Sequence, residues 1–481
     1  MSSRADAAAR RLLVVADADS YVKWGAALAS TLGPEWTARL VVIASPVQPS
    51  ARQLRHALAG TRFEPAEVLT IPLEPRGGAG GLDDELDGFD PHAVLLALRG
   101  PFVRVVAPRL NRRPNRPAIL SGFPGLTIPA VPKAVVYREQ TDLIVLHSRR
   151  EVRDFRANAD DLGVDPMFGL ATLPFLAGEA GDRAAATDIV FAAQAKVPAE
   201  RDDRLELLAA LAELARRRAP HRVVVKVRAR RGEAQTHAEE HDYADLLAEL
   251  HDAPANLVVE DGPMADQLDR AAALVTVSST AALEAVARDL PALLVDDFGV
   301  SPAMINTVFE GAGLFGSTTD LVAGRFRHAD PGWLADNYFH EPDADDWAGR
   351  LEALVSAREI VPLPPLERRH DLWGGALRRA FERRRMLGAH DRSLTGRLAW
   401  VGGVPVRAVV RRLRRLRRVL VGSVDGRGVP IDVREVRLGV AADSGLLVGG
   451  ELAPDLRRHA GHERTRGNDR ALEHHGAGRD E

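Results

Sequence analysis

Three consecutive hydroxyl residues, Ser278, Ser279 and Thr280, separate an apolar run from an alanine-rich stretch with a single acid, Glu284. The run ALVTVSS (273–279) predicts a strand and AALEAVARDL predicts a helix, so the hydroxyls fall at a strand-to-helix junction. One hydroxyl is enough to cap a helix, whereas three could also donate to the oxygens of an anion. Glu284 could accept from ribose hydroxyls, although an acid is also simply favourable in a first helical turn.

A second concentration of charge lies in RVVVKVRAR (222–230). Lys226, Arg228 and Arg230 alternate, so a strand would place all three on one face. A lysine among valines is costly to bury unpaired, which predicts an anionic partner; a solvent-facing edge strand is the alternative. His237, in the loop that follows, could hydrogen-bond a diphosphate or protonate a leaving group, or be an ordinary surface histidine.

The first half of the chain has its own candidates in DADSY, directly after the first predicted strand. Asp17 and Asp19 could act as a general base toward an acceptor hydroxyl, although paired acids before a helix are also common as simple caps. Ser20 is expected to cap the helix that carries Lys23 and Trp24. These residues predict a proton-accepting site at the end of the first strand.

Two further polar positions follow later strands of the same half. SGFPGLTIP (121–129), which includes Gly122, is a Gly/Pro loop of the kind that lets a backbone approach a ligand. His147 ends the apolar run DLIVLHS and is expected at the same rim. No dinucleotide glycine fingerprint follows the first strand, which disfavours an NAD enzyme. The sequence also has no Walker lysine loop, HExxH helix or Gly-x-Ser-x-Gly elbow.

The elements that must position these residues are apolar runs of strand length that alternate with amphipathic runs of helix length. Continuous Val/Ile/Leu strands indicate parallel sheets covered on both faces, with ligands at the carboxyl ends of the strands. The pattern restarts after the small and polar GEAGDRAAA (178–186). We therefore predict an α/β protein with two tandem Rossmann-like, doubly wound domains, at 1–180 and 186–365, followed by a basic tail at 366–481.

Length and composition limit the possible classes of protein. A chain of 481 residues exceeds what one hydrophobic core usually serves. The absence of cysteine excludes disulfides, thiolate metal ligands and thiol nucleophiles, and it fits a reducing cytoplasm. The first apolar run is too short for a signal peptide, and no stretch reaches a membrane-spanning length. We therefore expect a cytoplasmic protein.

The tail differs in charge from the rest of the chain. From Leu366 onward it has 25 Arg, no Lys and 15 acidic residues, while the whole chain has a net charge of −3. The block 411–418 contains six Arg and two Leu. As a helix it would suit an anionic membrane surface; a solvated basic helix or a disordered tail is an equal alternative. Nucleic acid is disfavoured as a partner because no aromatic residue is interleaved with these arginines.

Several of these motifs resemble known families. VSSTAALEAVARDLPALLVDDFG, together with the tandem architecture, resembles the GT-B glycosyltransferases, in particular the branch with capsular Kdo transferases, bacterial sialyltransferases and polyol-phosphate transferases. In that branch a Ser-Ser or Ser-Ser-Thr turn marks the nucleotide-donor half. DSYVKW, HSRREVRDF and VVVKVRARRGEAQTH also resemble a glycosyltransferase family of unknown function from high-GC bacteria, over about residues 10–360.

The resemblance implies two domains that face a central cleft, and it gives the candidate residues roles. Ser278, Ser279 and Thr280 would hold the donor phosphate and Glu284 a sugar or ribose hydroxyl. The charge on the leaving nucleotide would be neutralised by Lys226 and Arg228, without a metal or cofactor. The related enzymes carry His-Pro after the corresponding strand, whereas this chain continues Arg-Ala-Arg-Arg and His237 comes later. The nucleobase of the donor and the acid that assists departure of the leaving group are therefore open.

On the acceptor side the same comparison makes Asp19 the first candidate for the general base and His147 the second. The residues expected beside them are Ser20, Lys23 and Gly122. The predicted activity is transfer of a sugar from a nucleotide-activated donor to a hydroxyl of a glycan, lipid-linked or small-molecule acceptor, in cell-envelope or capsular glycan synthesis at the inner membrane face. The alternatives are a nucleotide-sugar epimerase of the same fold, which needs no acceptor, and a non-catalytic GT-B scaffold at the membrane.

Overall fold

The computed structural model describes residues 9–78, 80–176, 186–227, 241–370 and 375–403. Arg228, Arg230 and His237, and the arginine block 411–418, lie outside the described residues. In the part that is described, two parallel sheets follow each other along the chain, with seven and six strands. This confirms the predicted fold class.

The first sheet has the strand order β3-β2-β1-β4-β5-β6-β7, and every neighbouring pair is parallel. Its strands are β1 (Arg10–Ala16), β2 (Trp36–Ile43), β3 (Leu69–Ile71), β4 (Ala93–Ala97), β5 (Ala118–Gly122), β6 (Leu143–Leu146) and β7 (Met167–Leu170). The helices between them are α1 (Asp19–Ser30), α2 (Ala51–Leu58), α3 (Leu82–Phe89), α4 (Gly100–Asn111), α5 (Pro132–Val136) and α6 (Arg149–Leu162).

The strand β1 shows why continuous apolar runs indicate this architecture. Leu12 and Val14 pack into the hydrophobic core on one face of the sheet, and Leu13 and Val15 pack into the core on the other. Successive side chains of a strand point to opposite faces, so a strand buried on both faces needs apolar residues at every position. The unbroken LLVV run meets this requirement.

The second sheet has the strand order β10-β9-β8-β11-β12-β13, again wholly parallel. Its strands are β8 (Asp188–Ala192), β9 (Val223–Lys226), β10 (Leu257–Glu260), β11 (Ala271–Thr276), β12 (Ala292–Val295) and β13 (Phe315–Gly316). The helices that accompany it are α7 (Arg201–Arg218), α8 (Tyr243–Glu249), α9 (Met264–Leu268), α10 (Ala281–Ala287), α11 (Thr318–Val322) and α12 (Pro331–Asp336).

Each sheet has one position at which the strand order reverses. In the first sheet it lies between β1 and β4, and in the second between β8 and β11. Loops diverge from the carboxyl ends of the strands at such a switch point and leave a crevice that commonly binds ligands. The DADSY loop follows β1 and the hydroxyl triplet follows β11, so both predicted sites fall at switch points.

The chain returns to the first sheet after completing the second. The helix α13 (Trp347–Ile360) places Trp347, Leu351 and Val355 in the same core as Leu12 and Val14. These residues lie in the range that the sequence assigned to the second domain. Their spacing of four residues predicts an amphipathic helix, but it does not specify which sheet that helix covers.

The next helix, α14 (Gly375–Leu387), also packs on the first domain, against α4. Its Met386 and Leu387 belong to the core that contains Leu13 and Val15. A further helical stretch at 394–403 lies on α14, where Trp400 stacks on Phe381 with a distance of 5.3 Å between ring centroids. The described part of the basic tail is therefore integral to the first domain.

The two domains touch through apolar and polar contacts. Leu126 and Ile128, from the loop after β5, pack into the second domain's core beside Ala281 and Ala285 of α10. The hydroxyl of Tyr338 donates to Glu151 of α6 over 2.7 Å. Arg153 of α6 forms a two-fold hydrogen-bonded ion pair with Asp336, at 2.9 and 2.8 Å. Among the residues described, no helix is both long and apolar enough to cross a membrane.

Candidate functional site

The hydroxyl triplet lies where three neighbouring strands of the second sheet end. Ser278 is buried, and its backbone N–H and hydroxyl both donate to the amide oxygen of Gln194, at 2.9 and 3.1 Å. Ser279 is half-buried; its hydroxyl accepts from the N–H of Ala281, and its N–H donates to Thr276. Two of the three hydroxyls therefore build the turn itself.

Thr280 is half-buried and, unlike Ser278 and Ser279, does not build the turn through its hydroxyl. It is the N-cap residue of α10, but its side chain makes no capping hydrogen bond. Among the described residues its hydroxyl has no hydrogen-bond partner. The helix α10 has only seven residues, so its dipole is a minor source of positive charge. Charge for an anionic ligand must come from side chains nearby.

Lys226 supplies such a charge. It ends β9, which lies next to β8, and only 6% of the residue is exposed. Its ammonium group donates to the carbonyl of Val227 over 2.6 Å. Lys226 is thus buried at the end of a valine strand, and β9 is not a solvent-facing edge strand because β10 pairs with its outer side. The anionic partner of Lys226 stays a prediction.

Glu284 lies one turn into α10 and is half-buried. Burial raises the pKa of its carboxyl group above the usual range, against the opposing positive charges of Lys23, Arg288 and Lys226. Lys23 belongs to α1 of the first domain and Lys226 to the second. The two lysines therefore act on one carboxyl group from opposite sides of the domain boundary.

The loop after β5 approaches the triplet from the first domain. A Cβ atom added to Gly125 would lie 3.6 Å from the Cγ2 atom of Thr280. This loop was expected to come close to a ligand. The structure places it against Thr280 of the opposite domain. The predicted donor turn and the predicted acceptor-side loop thus face each other across the domain boundary.

The two acids of DADSY lie in different surroundings. Asp17 is fully buried and pairs with Arg99, whose Nε is 2.6 Å from its carboxylate. Asp19 is the first residue of α1, is half-buried, and has no ion pair or hydrogen bond among the described residues. It precedes Lys23 by four residues, which puts both on one face of the helix. Asp19 thus has a carboxylate without an ion pair in the described part of the chain, on the helical face that carries Lys23.

Ser20 does not cap α1, contrary to the sequence prediction. The helix begins one residue earlier, at Asp19, and its N-cap is Ala18, which has no side-chain oxygen. Ser20 is therefore the second helical residue, and it is half-buried. The cap prediction failed because Asp19 enters the helix instead of preceding it.

His147 is a structural residue. It has no exposed surface, its Nδ1 lies 2.8 Å from the carbonyl oxygen of Ala171, and its Nε2 is 2.7 Å from the indole Nε1 of Trp24. The indole N–H can only donate, so Nε2 must accept and Nδ1 must carry the proton. Burial lowers the pKa of His147. A neutral imidazole with both nitrogens engaged cannot take a proton from an acceptor, which removes the support for His147 as a general base.

Gly122 has a packing role beside this histidine. A Cβ atom at Gly122 would come within 2.6 Å of the Trp24 ring, and its carbonyl accepts from the guanidinium of Arg138 over 2.9 Å. The absence of a side chain makes room for Trp24, which in turn orients His147. Gly122 therefore supports the loop that carries Gly125 and does not itself face the opposite domain.

Three residues at the site were not singled out from the sequence. Gln194 follows β8 and accepts a hydrogen bond from Ser278. Arg99 follows β4 and forms an ion pair with Asp17. Gly125 lies next to Thr280 of the other domain. Gln194 and Arg99 follow the strands on the other side of each switch point from the predicted residues. Strand order would have identified them, but order is not visible in local sequence patterns.

Among the described residues no group of three or more His, Asp or Glu side chains could hold a metal ion. The reaction without a metal, with Lys226 and Arg228 as the positive charges, stays a prediction. Arg228 and His237 cannot be placed because they lie outside the described residues.

Two tandem parallel α/β domains, with polar switch-point loops that meet at the domain boundary, define the GT-B class of proteins. The chain belongs to the family described as "Putative glycosyltransferase (DUF6716)", whose model matches residues 12–354. The resemblance inferred from the sequence motifs is thereby confirmed. A comparison with curated proteins finds no match.

Solved structures of similar shape include two UDP-N-acetylglucosamine 2-epimerases. That of Neisseria meningitidis, with bound UDP-GlcNAc, is 11% identical, with 73% of this chain and 99% of that chain covered and a TM-score of 0.44. That of Rickettsia bellii is 15% identical, with 73% and 95% covered and a TM-score of 0.41. The glycotransferase of kitacinnamycin is 13% identical, with 73% and 95% covered and a TM-score of 0.36. Likenesses this remote carry no argument about activity.

Proposed function

We propose that the cleft between the domains transfers a sugar from a nucleotide-activated donor to an acceptor hydroxyl. The observation that carries this proposal is the position of Glu284, whose pKa is influenced by Lys23 of the first domain and by Lys226 of the second. Glu284 lies on α10, the helix that begins after Thr280. Lys226 is buried, Glu284 is half-buried and Lys23 is exposed. Charges of both signs, contributed by two domains, are expected where a polar, anionic ligand is held between them. The family to which the chain belongs points to the same reaction class.

The donor is proposed to bind on the second domain. Lys226 neutralises the donor phosphates, and the hydroxyl of Thr280 donates to one of their oxygens. The charge of Lys226 acts to lower the pKa of Glu284. Glu284 is proposed to accept a hydrogen bond from a ribose or sugar hydroxyl. Ser278 and Ser279 orient the turn through Gln194 and Ala281. Ser278 and Ser279 are thus proposed to position Thr280 and not to bind the phosphate directly.

The acceptor is proposed to enter from the first domain, beside Asp19 and Lys23. The acceptor oxygen forms a bond to the anomeric carbon of the donor, and the bond between that carbon and the donor phosphate oxygen breaks. The acceptor proton passes to Asp19, and the charge that develops on the leaving nucleotide is neutralised by Lys226. No cofactor beyond the donor enters this scheme.

The cellular role is proposed from the tail. Residues 411–418 carry six Arg, which suits an anionic membrane surface on the cytoplasmic side. The proposed acceptor at that membrane surface is a glycan or a lipid-linked acceptor of the cell envelope. The described helical stretch 394–403, which leads toward this block, exposes Leu394, Leu398 and Val401. These three residues are spaced to lie on one helical face, which fits contact with a lipid surface.

The donor assignment is tested by thermal shift with UDP, CDP, CMP and GDP sugars. A ligand that binds the folded state raises the melting temperature, by an amount set by its affinity. We expect one donor to raise the melting temperature. Lys226→Met should weaken the binding of that donor by about tenfold or more, because a charged hydrogen bond contributes about 1.5–3 kcal/mol. Lys133→Met is the matched control, since Lys133 lies over the ring of Tyr137 in the first domain.

Unchanged donor affinity in Lys226→Met would contradict the donor site. If no nucleotide sugar shifts the melting temperature, the chain is a scaffold of this fold. Incubation with the donor alone separates transfer from epimerisation, because an epimerase converts the sugar without an acceptor. A new nucleotide sugar formed under these conditions would replace the transferase proposal by the epimerase.

A further inference from the structure

A cavity of about 470 Å³ lies on the first domain between α4, α14 and the segment after α13 that contains Arg368. Six arginines line it: Arg104, Arg109, Arg112, Arg368, Arg379 and Arg383. Its remaining lining is formed by Gln140, Glu382 and a few small apolar residues. The sequence distributes these arginines over positions more than 260 residues apart, and only the return of the chain to the first domain brings them together.

The cavity is separate from the cleft between the domains. The helix α4 begins after the carboxyl end of β4 and runs back along the sheet for 12 residues, which corresponds to about 18 Å. Arg109 lies in its last turn and Arg112 is its C-cap residue. These arginines are therefore close to the amino-terminal edge of the sheet, whereas Asp19 and Lys23 follow the opposite edge.

Two of the lining arginines have acidic partners on neighbouring elements. Arg109 pairs with Glu74 and Asp83, and Arg383 shares Glu74 and also contacts Asp391. Arg112 is exposed and has no ion pair within the described part of the chain. Glu382 is the single acid among the lining residues, and it pairs with Arg378 on the same helix. Guanidinium groups thus outnumber the carboxylates that face the cavity.

The chemistry of the lining identifies a class of ligand. Guanidinium groups bind phosphate through paired N–H donors, and several of them around one volume suit an anion with more than one charge. None of the residues that line this cavity is aromatic, so it offers no surface on which a nucleobase would stack. We propose that the cavity binds a diphosphate group, independently of the donor site in the cleft. The diphosphate could belong to a soluble molecule or to a lipid headgroup.

The test is calorimetric titration with inorganic pyrophosphate in a Lys226→Met background, which removes the proposed phosphate site of the cleft. We expect binding in that background, and about tenfold or more weaker binding when Arg112→Gln and Arg379→Gln are added, because two guanidinium groups that can donate to the diphosphate are lost. Both side chains are exposed, so the fold is not at risk. The matched control is Arg216→Gln with Arg217→Gln, exposed arginines of α7 in the second domain.

A second titration identifies the source of the diphosphate. Vesicles of phosphatidylcholine with a polyprenyl diphosphate are compared with vesicles of phosphatidylcholine alone. Weaker recruitment to the vesicles with polyprenyl diphosphate in the Arg112/Arg379 variant than in the control indicates a lipid headgroup; a loss confined to pyrophosphate indicates a soluble ligand. Either result supports the site. The proposal is overturned if neither probe distinguishes the Arg112/Arg379 variant from its parent, or if the control loses binding equally.

Discussion

Burial decides the role of the individual ionisable residues. His147 and Asp19 both follow strands of the first sheet, yet His147 donates to Ala171 and accepts from Trp24, while Asp19 has no partner among the described residues. A catalytic base needs an accessible lone pair in addition to a suitable position. His147 is therefore a structural residue that contacts Trp24, and Asp19 stays the predicted general base.

The raised pKa of Glu284 gives a pH-dependent prediction. A carboxyl group with a higher pKa in the folded state than in the unfolded state binds more protons when folded, so its contribution to stability falls as the pH rises between the two values. Glu284→Gln removes this pH-dependent contribution to the free energy of unfolding. We expect the free energy of unfolding of the variant, relative to the parent, to increase as the pH rises from the usual glutamate range toward neutrality.

The measurement is urea unfolding of both proteins across that pH range. Glu206→Gln is the matched control, because Glu206 lies exposed on α7. A difference between the Glu284 variant and its parent that does not change with pH would contradict the assignment of a buried, charge-coupled carboxyl group.

At the scale of elements, α14 shows that a basic segment can be part of a domain core. Met386 and Leu387 are buried against α4, although the surrounding sequence is ALRRAFERRRML. Two apolar residues in one turn complete the core, while the arginines around them line a cavity or pair with acids. The high charge of the segment led to its assignment to a tail, and the few apolar positions decided its packing.

Truncation separates these contributions. A chain that ends at residue 366 loses Met386 and Leu387, and since each large-to-small loss in a core costs about 2–5 kcal/mol, we expect a clearly lower melting temperature for the first domain. A chain that ends at residue 403 keeps these contacts and should melt like the full chain. The same shorter chain lacks 411–418 and should sediment less with anionic vesicles than the full chain.

Equal melting temperatures of the two truncated chains would contradict the packing of α14. Undiminished sedimentation of the chain that ends at residue 403 would show that 411–418 does not mediate membrane contact.

At the scale of the whole molecule, the site is formed by the approach of the two domains. Gly125 and Thr280 come from different domains, and a Cβ atom at Gly125 would be in ordinary van der Waals contact with Thr280. We therefore expect Gly125→Ala to bind the donor like the parent, whereas the indole ring in Gly125→Trp fills the space beside Thr280 and weakens donor binding by about tenfold or more, a change of about 1.4 kcal/mol.

Calorimetry with the donor found by thermal shift provides the measurement, and circular dichroism checks that both variants are folded. Gly125→Ala serves as the control for the altered backbone. Donor affinity that is equal in all three proteins would show that the ligand does not approach this part of the cleft.

The sequence by itself determined the elements and their class. Continuous apolar runs such as LLVV and VVV specify strands buried on both faces, and the position of Lys226 and the hydroxyl triplet at strand ends follows from the same pattern, because secondary structure and its periodicity are local properties. Tertiary structure decided the rest. The contact of Thr280 with Gly125, the effect of Lys23 on Glu284 and the return of α13 to the first sheet depend on strand order and domain packing. These arise between residues far apart in the chain, and an apolar helical face is compatible with either sheet.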